Sequence, residues 1–147
     1  PERFTNLKAY KVLTHQHRPE VETFLGGLGD FGGLRFVPLS APVDRGILAT
    51  AMIPLKTSLD DVSAKAILEK SYGQHPLVRV RDGSPEIRHV RGTGFCDVAA
   101  FASDDEVVVI SAIDNLGKGA SAQAVQCLNH SFDWPVETGL ELVPCLP

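Results

Sequence analysis

Two apolar runs of strand length, residues 95–101 and 106–113, are separated by the short polar turn Ser103-Asp104-Asp105, and nothing else in the sequence constrains the fold as strongly. The second run holds Val107-Val108-Val109-Ile110, β-branched residues that favour extended backbone. Runs joined this tightly return antiparallel, so the chain is expected to contain a sheet with an antiparallel hairpin.

The remaining elements are placed around that hairpin. Residues 8–14 and 34–39 read as short strands, and residues 77–80 as another. Residues 47–56 (ILATAMIPLK) are apolar at both alternating positions, which predicts a strand inside the sheet. A helix is expected from Pro19, which suits a first turn, with Val21, Phe24, Leu25 and Leu28 on one face. A second is expected from Leu59-Asp60-Asp61 to Gly73, and a third over residues 120–129. The order βα ββα β ββα predicts an α+β fold with a mixed, largely antiparallel sheet and helices on one face. The 147 residues suit one domain, and 44% hydrophobic residues suffice for a core. No GxGxxG follows a strand, so a complete dinucleotide-binding domain is not expected within these residues.

Charge and composition exclude some classes of function. A formal charge of -4 without a basic stripe argues against nucleic acid, and no apolar stretch is long enough to span a membrane. A cytoplasmic location is expected. Cys96, Cys127 and Cys145 are odd in number and contain no CxxC pair, so they are expected to be reduced and partly buried. The first residue is Pro1 rather than Met, which suggests a piece of a longer protein.

Three polar corners interrupt these elements. His15-Gln16-His17-Arg18-Pro19-Glu20 lies where a strand meets a helix. On a strand, the two imidazoles would share a face and could relay protons beside a helix N-terminus that favours anions. The same residues also read as a solvated turn. A metal would need further ligands that do not lie nearby, so no metal is assigned. Arg45-Gly46 sits in a loop between apolar strands, where the guanidinium suits a phosphate or carboxylate or is simply solvated. Asp114-Asn115-Leu116-Gly117-Lys118-Gly119 joins a strand to a helix rich in small residues, either facing a ligand or serving as a tight turn.

With Phe36-Val37-Pro38-Leu39 before Arg45-Gly46-Ile47, and Gln123-Ala124-Val125-Gln126 after Lys118-Gly119-Ala120, these segments in this order resemble the N-acetyl-gamma-glutamyl-phosphate reductase family, from about residue 10 to residue 129. The resemblance implies the substrate and dimerisation part of an NADPH-dependent enzyme, similar in fold to the C-terminal domain of glyceraldehyde-3-phosphate dehydrogenase. That enzyme reduces an acyl phosphate to a semialdehyde in arginine biosynthesis. An N-terminal Rossmann domain, outside these residues, would bind most of the NADP and supply a cysteine nucleophile; residues 114–130 would pack on it. His17 and His15 would be the acid/base pair, with His17 the first choice and Glu20 orienting them. Arg45 and Arg18 would bind the substrate, and Asn115, Lys118 and Gly119 would lie near the nicotinamide. A homo-oligomer is implied. Ser121-Ala122 departs from the Ala-Gly frequent in the family. Alone, the chain would be inactive; the alternative is a binding or dimerisation module with the same fold and no chemistry.

Overall fold

The computed structural model describes residues 5–140; Cys145 lies outside them. The chain divides into two compact units, Pro1–Asp44 and Arg45–Pro147.

In the first unit, strand β1 (Lys8–Ala9) pairs antiparallel with β2 (Leu39–Ser40), and helix α1 (His17–Leu28) lies between them in sequence. Both strands are shorter than the sequence predicts. Lys11 and Leu13 adopt φ of 44° and 58°, left-handed values that end an extended run, and Thr14 N–H closes a turn onto the Lys11 carbonyl at 3.0 Å. Before β2, Pro38 has no N–H to donate to a ladder. On α1, Val21 and Leu25 are half-buried while Phe24 and Leu28 remain exposed, so its apolar face is only partly covered within the unit.

The second unit is built on a four-stranded sheet of order β3-β6-β5-β4: β3 (Ile47–Pro54), β4 (Val78–Val80), β5 (Cys96–Ala102) and β6 (Glu106–Ile113). The β5–β6 hairpin forms as its turn demands, with Ala102 opposite Val107. β3 runs antiparallel to β6, and β4 runs parallel to β5, giving the mixed, largely antiparallel sheet expected of an α+β fold. Helix α2 (Asp61–Tyr72) packs against β5 and β4. Its start is set by Asp60, whose side chain accepts the Ser63 N–H at 2.7 Å, and its end by Gly73, whose N–H meets the Glu69 carbonyl.

One strand departs from expectation. β3 is at the sheet edge, not inside it, and all eight of its residues are exposed. Its apolar residues on both faces do predict burial, but α2 packs on β5 and β4 at the other end of the strand order, and β3 pairs only with β6.

Helix α3 (Ala122–Ser131) brings Ala122 onto Leu77 and Leu140, flanked by Phe95 and Val125, to form a small buried cluster. Buried Asn129 donates to the carbonyls of Val136 and Thr138 at 3.1 and 3.0 Å and so ties the following irregular segment to α3. Cys96 is half-buried in β5, whereas Cys127 on α3 is exposed, contrary to the expectation of partial burial. Among the described residues, no helix is long and apolar enough to cross a membrane.

Candidate functional site

The sequence-selected residues fall into two clusters, one in each unit. In the first, His15 does not extend a strand, so the alternation that would have aligned it with His17 does not operate. His15 instead sits after the turn formed by residues 11–14, and His17 is the first residue of α1. The rings nevertheless meet edge to face, with centroids 4.7 Å apart. Tyr10 and Phe36 add ring contacts to His15 at 5.8 and 5.4 Å, leaving it 8% exposed while His17 is open to solvent. The Nδ1 of His15 accepts the backbone N–H of His17 at 3.3 Å, satisfying one of the donors that a helix start leaves without an intrahelical partner. Burial lowers the pKa of His15 from the ordinary 6.5; nearby His17 and Lys11 act in the same direction and Glu20 opposes them.

The other residues of this corner have structural contacts. The Nε of Arg18 donates to Glu22 at 2.9 Å and its Nη1 to the Leu13 carbonyl at 3.1 Å, which secures the turn before the helix. Glu20 is exposed in the first turn of α1 and hydrogen-bonds neither histidine. Its influence on His15 is through charge.

The cluster in the second unit centres on Asp114, which has 0% exposure. Arg45 donates one hydrogen bond to it, Nη2 to Oδ1 at 2.8 Å, and its Nε lies 2.7 Å from Oδ2 as an ion-pair contact without hydrogen-bond geometry. The backbone N–H groups of Leu116 and Gly117 donate to Oδ1 at 2.8 and 2.7 Å, and that of Gly92 to Oδ2 at 2.6 Å. Burial alone would raise the pKa of this carboxyl, but Arg45 and the three N–H groups outweigh it and bring it down to about 2. Sequence reasoning selected Arg45 and the neighbours of Asp114 but missed the carboxylate at the centre. An acidic residue two and three positions before N–H donors in a glycine-bearing turn was the signal available.

Around this carboxylate the chain makes a π-helical turn, Gly117–Ser121, before α3 begins. Gly119 N–H reaches the Asp114 carbonyl and Ser121 N–H the Leu116 carbonyl, five residues back in each case. Gly117 is required sterically, because a Cβ there would lie 2.4 Å from the Thr93 carbonyl oxygen. At Gly46, where φ is +125°, a Cβ would lie 2.2 Å from Ile87. The Gly46 N–H donates to Asn115 Oδ1 at 2.7 Å. Lys118 donates to buried Gln126, and burial lowers its pKa, with the nearby thiols of Cys96 and Cys127 opposing. The Cys96 thiol is pushed up by burial, against the pull of Lys118.

Arg45, Asn115, Lys118 and Gly119 thus belong to one structured corner, hinged on Asp114. A second buried carboxylate, Asp97, receives Arg79 Nε at 2.5 Å; Arg79 also donates to the His89 carbonyl and stacks over Phe95. Close by, a polar recess of about 400 Å³ opens along residues 80–89, and none of the sequence-selected residues lines it.

Comparison with known proteins agrees with this architecture. Residues 1–115 match the family model described as semialdehyde dehydrogenase, dimerisation domain. Proteins named N-acetyl-gamma-glutamyl-phosphate reductase are 44% identical over 92% of the chain in Methanocaldococcus jannaschii, 40% over 97% in Brevibacillus brevis and 37% over 97% in Staphylococcus aureus. The chain spans 40%, 42% and 43% of those relatives' own lengths, respectively. With the family model covering most of its length, and a mixed sheet of the expected kind in the second unit, the chain belongs to the semialdehyde dehydrogenase dimerisation-domain family.

Proposed function

We propose that residues 1–147 are the substrate-binding and dimerisation part of an NADPH-dependent reductase that converts N-acetyl-glutamyl-5-phosphate to the 5-semialdehyde and phosphate. The observation that carries this reading is the 37–44% identity to reductases of that name across nearly the whole chain. In this reading a Rossmann domain outside these residues supplies a cysteine. Its thiolate forms a bond to the acyl carbon, the bond from that carbon to the phosphate oxygen breaks, and phosphate leaves. NADPH would supply the hydride that reduces the resulting thioester.

The roles proposed for this chain's own residues follow from their chemistry. His17, exposed at a helix start, exchanges protons with the cysteine and the reacting oxygen, with His15 packed at its edge. Glu20 adds negative charge beside the pair. Arg45, already aimed by its ion pair and hydrogen bond with Asp114, presents its cation to a phosphate or carboxylate, and Arg18 adds positive charge at the helix start. Asn115, Lys118 and Gly119 fit the nicotinamide end of NADP. The carbonyl oxygen of Asn115 is engaged by Gly46, which leaves its Nδ2 donors for the cofactor carboxamide. Gly119 is exposed and carries no side chain to block approach.

The test is NADP-dependent, phosphate-requiring oxidation of N-acetyl-glutamate-5-semialdehyde by the complete gene product. Turnover is expected there, and none above background from residues 1–147 alone. Absence of turnover by the complete product would leave the module without chemistry as the better reading.

A further inference from the structure

The geometry makes the two histidines of the first unit unequal. His15 is enclosed by Tyr10, Phe36 and His17, and its Nδ1 accepts the His17 backbone N–H. A ring nitrogen that accepts a hydrogen bond carries no proton. Neutral His15 must therefore hold its single proton on Nε2. Charging it would place a second N–H against the His17 N–H and a cation at the positive end of α1.

We infer that His15 is a positioning residue, locked as the neutral Nε2–H tautomer, which fixes the backbone and ring of His17 and leaves the proton transfers to His17. This rests on the reductase reading for its chemistry, but the tautomer itself is a property of the fold. The titratable groups that face His15 are Tyr10 and Lys11 from the preceding segment and His17 and Glu20 from α1. Burial, His17 and Lys11 favour the neutral ring, and only Glu20 favours the charged one. The neutral state therefore holds at neutral pH and is lost only below the ordinary histidine value of 6.5.

The distinction is measurable. In the complete gene product labelled with 15N-histidine, long-range 1H–15N spectra assigned with His15→Asn should show His15 with a protonated Nε2 and an unprotonated Nδ1 at neutral pH. A protonated Nδ1, or a charged ring at neutral pH, would overturn the inference. Kinetics give a second arm. Asparagine places a carbonyl oxygen where Nδ1 sits and can keep the bond to His17 N–H, whereas glutamine places its amide farther out. His15→Asn should retain kcat within about tenfold and keep the pH profile of kcat/KM, while His15→Gln and His15→Ala should lose more and shift it. His17→Ala should lower kcat by roughly two to four orders of magnitude whatever stands at position 15. Equal losses in His15→Asn and His17→Ala would mean that His15 carries the proton itself. Should the complete product have no reductase activity, the proposed function fails while the nitrogen spectra still decide the tautomer.

Discussion

A carboxylate with no surface exposed to water keeps its charge only if protein groups replace the lost hydration, and Asp114 shows what that replacement requires. Four hydrogen bonds from Arg45, Gly92, Leu116 and Gly117, with a further ion-pair contact from Arg45 Nε, surround its two oxygens. Its folded pKa, about 2, lies below the usual 3.8, so the unfolded chain binds the proton more readily. The stabilisation is therefore complete above pH 4 and lost as pH falls toward 2, amounting to roughly 2 kcal/mol. Urea unfolding of wild type and Asp114→Asn should show a gap that narrows over that interval; a gap independent of pH would deny the charge its role. Arg45→Ala is expected to do two things at once. It should lower stability by about 2 kcal/mol or more, since it leaves a buried carboxylate without its cation, and raise KM for the phosphorylated substrate in the complete enzyme. A changed stability with an unchanged KM would assign Arg45 wholly to Asp114. Only the local half of this hub, an acidic residue ahead of a glycine-bearing turn, was legible in the sequence. The sequence marked Arg45 and Asn115 as polar residues in loops, but their meeting at Asp114 and Gly46 spans 69 positions and depends on how β3 pairs with β6.

At the scale of elements, local signals succeeded where local chemistry decides the outcome. Asp60 and Gly73 bracket α2 because one caps a helix start and the other ends it, and the polar turn at residues 103–105 closes β5 onto β6 whatever else the chain does. They failed at residues 8–14, where the left-handed backbone of Lys11 and Leu13 carries no compositional mark, and at β3, where apolar faces imply a cover that the second unit does not provide. The π-helical turn was also hidden, because five-residue spacing follows from Asp114 capturing two N–H groups rather than from helix propensity. Gly117→Ala should be costly there. The added methyl must displace the Thr93 carbonyl, so a loss of at least 1–3 kcal/mol is expected, with the Gly119 control, whose nearest atoms are 3.5 Å away, losing much less. Equal losses at both positions would show that glycine is needed for chain flexibility rather than for clearance.

For the whole molecule, membership of a dimerisation-domain family and the exposed apolar side chains of β3 lead to the expectation of self-association. Sedimentation at tens of micromolar should show a dimer or larger species, and Met52→Lys, at one of the most exposed of those side chains, should weaken it; a monomeric wild type would argue against assembly through this unit. The strand order has a further consequence, for the sequence of events by which the chain acquires its structure. The two central strands are neighbours along the chain, whereas β3 reaches β6 only after more than fifty residues have been looped out. Loop closure favours the short-range pair, so the hairpin nucleates and the outer strand docks late. Substitutions in the residue 103–105 turn should then slow refolding, while those in β3 should mainly hasten unfolding, a division that stopped-flow chevrons can read directly.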